Sequence, residues 1–522
     1  MMPMPKAAFA LGLLSGFAFA PIASAQTSIK LAPGSMPRIG SVSERYQSYN
    51  IEMVEVTGGR FWKPYASVAA APAAPAGNQP VGMDPSLYEY RPPIDLSNVR
   101  LRKLAAALGP AYLRVSGTWA NNTFFDPSAE AVPTTAPDGF KGVLTGKQWK
   151  GVLDFAKASN AEIVTSFSTS AGTRDASGTW TPIEAKKIVE FTHAHGSKIA
   201  AAELMNEPTF AEIGGAPKGY DAAAYARDFN VFRTFAKQTA PEMLILGPGG
   251  VGEGGSLGPL KMKLVPTEDI LTATGPAFGA FSYHSYSGVS SRCARGGGGT
   301  TIDAALTEDW LNKGGQTEQF YASLRDRFEP GKSIWNTETA QTACGGDKWA
   351  ATFIDSFRYL NQLGDLAKRG VQVHLHNTLA ASDYGLLDEK TYAPRPNYWA
   401  ALLWHRLMGP TVLDAAIAPT PNLHLYAHCL PGHPGGVTVL AISLSKTETQ
   451  IIDIPTKSER YTLTAKELTA GEVSLNGESL TLGPNDSLPT LKGVAVQPGK
   501  LTLAPESITF LTFPTASNTS CN

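Results

Sequence analysis

Residues 199–208 read Ile-Ala-Ala-Ala-Glu-Leu-Met-Asn-Glu-Pro, and residues 333–339 read Ser-Ile-Trp-Asn-Thr-Glu-Thr. Each is a short strand-like run that leads straight into a glutamate, Glu207 in the first and Glu338 in the second. Around them the chain alternates. Further strand-like runs fall at 112–115, 162–167, 243–246, 279–284 and 371–375, with helical patterns at 99–108, 147–158, 182–195 and 222–240. In the first of these, Leu101, Leu104, Ala105 and Leu108 share one face at helical spacing. This alternation predicts parallel strands joined by crossover helices. With one more strand from residues 39–55, the runs close as a (β/α)8 TIM barrel, an α/β fold, over residues 39–408.

Beyond Gly409-Pro410 the pattern changes. The stretches 422–428, 436–445, 449–454, 460–468, 471–477 and 507–513 are rich in β-branched residues, several alternate, and Gly, Pro, Asn or Asp separates them. They predict an all-β sandwich over residues 409–522, to which a strand from the 26–38 segment can add. Two stretches break the barrel pattern: the Ala/Pro-rich 67–80, read as an exposed loop, and the four glycines Gly296 to Gly299.

The chain has 522 residues, 43% hydrophobic and 17% charged, with mean hydropathy −0.11. That is a globular composition. Lys plus Arg is 44 against 45 for Asp plus Glu, and no basic run stands out, so the sequence offers no footprint for nucleic acid. Residues 1–25 read as a signal peptide: Lys6, an apolar run from Ala7 to Ala20, then Ala23-Ser24-Ala25, with the mature chain starting at Gln26. No later run reaches the ~20 apolar residues of a membrane span. The expectation is an exported protein, secreted or periplasmic, and a monomer. In an oxidising compartment the four cysteines read as two disulfides, for which three pairings exist; sequence order favours Cys293–Cys344 and Cys429–Cys521. None sits in the close spacing that zinc requires.

Chemistry in such barrels sits at the carboxyl ends of the strands. Strands four and seven lie on different sides, so Glu207 and Glu338 can converge over the mouth. Two carboxyls flanking a bond are what glycoside hydrolysis needs, one to protonate the leaving oxygen and one to attack the anomeric carbon. The plainer reading of either alone is a surface residue starting a helix, where an acid suits the dipole.

A strand-ending Asn-Glu-Pro followed by a second strand-ending Glu resembles the clan A retaining glycoside hydrolases. Finer matches are similar to glycoside hydrolase family 79, the heparanase and β-glucuronidase family: residues 111–118 (AYLRVSGT), 283–286 (YHSY), 382–388 (SDYGLLD) and 396–399 (PNYW). The resemblance implies Glu207 as acid/base, Glu338 as nucleophile and Asn206 as a ligand of the sugar 2-hydroxyl. It further implies substrate contacts at Thr118, His284 and Tyr286, and a uronate carboxylate held by Gly345 of the Gly345-Gly346 turn and by Tyr384. Where the family often has Tyr before these glycines, this chain has Ala343-Cys344. Cys429 and Cys521 resemble a family disulfide of the β-domain. The substrate is then a carbohydrate, a β-linked glucuronide or uronate-containing glycan; a neutral β-glycoside, or glycan binding without catalysis, are the alternatives. No cofactor and no metal are implied.

Other motifs carry less. His374 and His376 share one strand face and read as barrel-interior or pocket-lining residues; His424 and His428 are assigned nothing. Gly254-Gly255-Ser256-Leu257-Gly258 fits G-x-S-x-G but sits among glycines, with Pro259 following, which suits a loop rather than a nucleophile elbow. The aromatic and charged stretch 48–65 reads either as a sugar subsite using Arg60 or Lys63, or as a Glu52–Arg60 ion pair under aromatic packing.

Overall fold

A computed structural model describes residue 1 and residues 28–65, 84–131, 133, 135–255, 257, 263–294, 300–418, 420 and 422–522. Residues 2–25 of the stretch read as a signal peptide, the 67–80 stretch, the four-glycine run and Ser256 lie outside the described residues.

Eight parallel strands close into a barrel. In chain order they are β1 (Gln47–Glu52), β2 (Ala111–Ser116), β3 (Ala161–Ser166), β4 (Ile199–Glu203), β5 (Leu244–Gly250), β6 (Ala280–Tyr286), β7 (Ile334–Ala340) and β8 (Val371–His376), with β8 pairing back to β1. Val164, Ala201, Leu246, Ala280, Trp335, Val373 and Leu375 form one apolar cluster within it. Because strand side chains alternate, the same inward face brings Arg114, Glu203 and Ser282 to the carboxyl end. His374 and His376 fall on the other face of β8 from Val373 and Leu375. Both rings lie against Tyr359 of the helix Phe353–Lys368, and His374 also meets Tyr46. They belong to the layer between barrel and helices, which corrects the barrel-interior reading.

Register at the top of β7 is irregular. Tyr283 pairs with Asn336, but the next residue, His284, pairs with Glu338, so β7 spends two residues against one. A bulge of this kind re-aims the side chains beside it. It lets the neighbours Thr337 and Glu338 both reach the site, where strict alternation would have sent them apart.

The sandwich is a nine-stranded sheet facing a three-stranded one. Ile29–Lys30 pairs with Gln450–Ile454, and Arg38–Ser41 with Thr411–Leu413. The N-terminal contribution thus runs to Ser41, three residues into the stretch assigned to the barrel, and barrel pairing starts at Gln47. Between barrel and sandwich lies the helix Phe353–Lys368, buried on nearly every face. Its polar residues are paired, as burial demands: Arg358 donates to Asp355 at 2.7 Å and to Gln362 at 2.8 Å, and Asn397 caps the same aspartate at 2.7 Å. Tyr426 of the sandwich lies on Gly364 of this helix and donates its hydroxyl to Asn361 at 2.6 Å.

A Cβ on Gly364 would stand 2.2 Å from Tyr426 Cγ. Gly364→Ala is therefore expected to lose on the order of 1–3 kcal/mol in urea unfolding. An open helix site would instead gain ~1 kcal/mol from alanine, and such a gain would contradict this packing of the two layers.

Candidate active site

The site is organised by a guanidinium. Arg114, mid-strand in β2 and 1% exposed, donates to Glu338 Oε2 at 2.8 Å, Glu203 Oε2 at 3.0 Å and Asn206 Oδ1 at 2.8 Å, and it meets His284 Nε2 at 3.2 Å. A guanidinium only donates, which orients three neighbours. The Asn206 oxygen faces Arg114, leaving its NH2 to point elsewhere. His284 Nε2 accepts, so Nδ1 carries the proton and donates to Glu207 Oε1 at 3.0 Å. Asn206 is further held through its backbone, by a 2.8 Å bond from its N–H to Asn121 and a 2.9 Å bond from Asn121 to its carbonyl.

Glu207 is not a helix-starting surface acid. It has φ +49° and precedes a three-residue 3-10 helix, Pro208–Phe210, to which its side chain gives no cap. The left-handed turn, strained for a non-glycine residue, presents the carboxyl to His284. Glu338 lies within β7 and is 5% exposed. Its Oε1 accepts from the Tyr286 hydroxyl at 2.5 Å; Asn377 donates in turn to the hydroxyls of Tyr286 (3.2 Å) and Tyr384 (3.3 Å).

The two carboxyls are pushed in opposite directions. Burial raises Glu207, reinforced by the Glu338 charge and only partly offset by the His284 bond. Burial would also raise Glu338, but the Arg114 charge and the Tyr286 hydroxyl outweigh it and hold that group below the usual carboxylate range. Glu203 is likewise held low against burial, by Arg114 first and by bonds from Ser282 (2.7 Å) and Thr337 (3.0 Å). Single ligand atoms of Glu207, His284 and Glu338 lie within 4.8 Å of one another, close enough to surround a cation. Arg114 already presses a positive charge on His284 and Glu338, which disfavours a second one there.

A cavity of about 370 Å³ opens above this cluster. Of the residues singled out from the sequence, Glu207, Glu338, Asn206, Thr118, Tyr286 and Tyr384 line it. His284 stands behind Glu207, fully buried. Ala343 and Cys344 reach the wall, and Gly345 (φ +79°) packs against Trp62. The backbone N–H groups of Cys344 and Gly345 find no acceptor among the described residues, and the two residues form a turn that Gly346 closes. Cys293 is bonded to Cys344, and Cys429 to Cys521.

Sequence reasoning missed several members. Arg114 and Glu203 are the charged residues of otherwise apolar runs, a signal that was available. Glu52, at the end of β1, lines the cavity, is buried, and its Oε2 has no partner. It does not pair with Arg60, which donates to the carbonyls of Pro85 and Tyr88, so the Glu52–Arg60 ion pair is not formed. Burial, Glu338 and Glu55 raise Glu52 well above its ordinary range, with Arg114 opposing. Phe61, Trp62, Tyr88, Trp119 and Asn377 complete much of the wall.

Glu55 backs Glu52, accepting its N–H at 2.8 Å, and burial pushes its pKa up to about 8. Folding then takes up a proton between the unfolded value of ~4.5 and pH 8, so this group's contribution to stability falls as pH rises through that window. Glu55→Gln keeps the acceptor and removes the titration. Its urea midpoint is expected to decline less than the parent's between pH 5 and 8.5; identical pH dependences would contradict a protonated Glu55.

Residues 92–364 match the model of glycosyl hydrolase family 79, N-terminal domain. Heparanase-like protein 1 of Arabidopsis thaliana is 27% identical over 372 residues, 67% of this chain and 65% of that protein. Baicalin-beta-D-glucuronidase of Scutellaria baicalensis is 28% identical over 466 residues, 81% of this chain and 84% of that protein. In fold, the chain is similar to the α-L-arabinofuranosidase of Thermotoga maritima, with TM-score 0.63 at 14% identity over 93% of this chain and 99% of that one. With more than half of its length matching the family model, the chain belongs to glycosyl hydrolase family 79.

Proposed function

We propose that this glycoside hydrolase is a retaining enzyme that cleaves β-linked glucuronides or uronate-containing glycans by double displacement. The observation that carries the reading is the carboxyl pair: one oxygen of Glu207 lies within 4.8 Å of one oxygen of Glu338, and one group is raised while the other is lowered. Retaining enzymes hold their carboxyls ~5–5.5 Å apart, whereas inverting ones leave ~6.5–9.5 Å for a water. Glu207 holds a proton for the glycosidic oxygen, and ionised Glu338 attacks C1 to give a glycosyl ester. Glu207, now a carboxylate, takes a proton from the water that cleaves the ester and returns to its starting form. Arg114 and Tyr286 keep Glu338 anionic and aimed, and the Asn206 amide, turned by Arg114, offers a donor to the sugar.

Support for a uronate comes from the N–H groups of Cys344 and Gly345, which find no acceptor among the described residues, with Cys344 and Tyr384 both lining the cavity, since successive backbone donors suit an anion. Two relatives carry heparanase or β-glucuronidase in their names. A neutral β-glycoside is the second reading, favoured by the lack of Lys and Arg among the described residues lining the cavity. Two disulfides suit an exported protein, and no described helix is long and apolar enough to cross a membrane.

Hydrolysis of 4-nitrophenyl β-glucuronide, beside the matching glucoside and xyloside, tests the reading. Glucuronide cleavage is expected to dominate and to fall by at least ~10⁴-fold in Glu338→Gln; cleavage of a neutral glycoside alone would remove the uronate assignment. Tyr286→Phe deletes a bond that lowers the Glu338 pKa. The acidic limb of kcat/KM is therefore expected to move to higher pH, with the basic limb in place. A shift of the basic limb alone would contradict the assigned roles.

A further inference from the structure

Double displacement gives no task to Glu203, a carboxylate that ends β4 and is 1% exposed. The described residues lining the cavity do not include it, so it does not meet the sugar. Donors from three strands fill its acceptor positions. Arg114 of β2 bonds Oε2 at 3.0 Å, and Ser282 of β6 and Thr337 of β7 bond Oε1 at 2.7 and 3.0 Å. From β5, Gly249 comes so near that a Cβ on it would stand 3.0 Å from Oε1. The titratable groups that share its field are Arg114, His284 and, from the helix Ala222–Thr239, Tyr225.

In the free enzyme one guanidinium faces two carboxylates, Glu338 on Nη1 and Glu203 on Nη2. During the first half-reaction Glu338 bonds C1, the bond from C1 to the leaving oxygen breaks, and that oxygen takes the Glu207 proton. Glu338 thereby becomes a neutral ester and the negative charge passes to Glu207. An ester oxygen is a weaker partner for a guanidinium than a carboxylate. Without Glu203, each turnover would leave Arg114 as a buried cation stripped of its carboxylate, a costly state. Before attack, Glu203 also takes a share of the Arg114 charge, so Glu338 stays anionic without being bound too tightly to react.

We infer that Glu203 is a positioning residue whose fixed charge offsets Arg114 while Glu338 is esterified, and so sets the balance between forming and hydrolysing the glycosyl ester. The inference rests on the retaining reading of Glu207 and Glu338 and adds a third carboxylate that never touches substrate. The test compares the parent with Glu203→Gln and Glu203→Asp. The glutamine fits the same space, because the Ser282 and Thr337 hydroxyls can rotate to accept from its amide. A 2-deoxy-2-fluoro glycoside with a good leaving group reads the two half-reactions separately, as the rate of inactivation and the rate at which the trapped enzyme recovers. With Arg114 facing Glu338 alone, inactivation of Glu203→Gln is expected to slow by at least about tenfold, while recovery becomes faster than the parent's. The acidic limb of kcat/KM should move down by about one pH unit, since the Glu338 pKa drops when Arg114 loses its other anion. Glu203→Asp withdraws the charge by one methylene and should change each quantity in the same direction by less. A residue that only supports the fold would slow both half-reactions and leave the limb in place. That result, or a limb that moves up, overturns the inference while leaving the carboxyl pair intact. If the glutamine variant does not fold, the aspartate variant decides by the same signs. A parent enzyme that turns over its glycoside without a trapped ester, or hydrolyses none of the glucuronide, glucoside and xyloside, overturns both.

Discussion

A positive charge with almost no access to water is the constraint around which this active centre is built. Taking Arg114 out of water costs several kcal/mol, and only close, well-oriented partners offset such a cost. Glu203 and Glu338 supply the charge, and Asn206 and His284 share the two Nη2 hydrogens with Glu203. The partners come from the ends of β4, β6 and β7, so one side chain ties three strands at the barrel mouth. Because Arg114 carries one charge and already faces two carboxylates, it has little left to neutralise Glu207 or Glu52. Those two respond to burial with pKa values pushed above the ordinary carboxylate range. The same electrostatic balance that makes the cluster stable thus pushes the pKa values of the carboxyls apart, as acid/base catalysis requires.

The scaffold keeps this balance in register. The β7 bulge lets Thr337 serve Glu203 while its neighbour Glu338 serves the cavity. Behind β7 and β8, the helix Phe353–Lys368 is pressed between barrel and sandwich, and its buried polar side chains are satisfied by one another and by Asn397. His376 donates to the Tyr384 carbonyl at 2.8 Å, so the helix-facing side of β8 also steadies the loop that carries a cavity-lining hydroxyl. The sandwich therefore braces the catalytic barrel without lining the described cavity.

The barrel was legible because its strands and helices differ in period, and the carboxyl pair because both glutamates end strand-like runs. The disulfide pairs followed from chain order within each region. Arg114 was passed over inside Tyr-Leu-Arg-Val although an inward charge in an apolar strand implies a partner. Alternation says that His374 and His376 share a face but not which face, and only the packing of Tyr359 and Tyr46 decides it. A bulge depends on the neighbouring strand's register and leaves no local mark, so Thr337 was not recognised. Glu52 remained ambiguous for a related reason: its surroundings come from β2, β7 and β8, far away in the chain. The 38–41 segment was divided wrongly because a short polar strand carries no label for the sheet it joins.

The most direct test of the divided carboxyl set is to trap the covalent intermediate. A 2-deoxy-2-fluoro derivative of whichever glycoside the enzyme turns over, carrying a good leaving group, slows ester hydrolysis more than its formation. Peptide mass mapping of the inactivated protein should find one added fluoroglycosyl group, on Glu338, with Glu207, Glu203 and Glu52 unmodified. A label on any of those three, or full turnover of the parent glycoside with no trapped ester, would contradict the assignment of an ionised nucleophile held by Arg114.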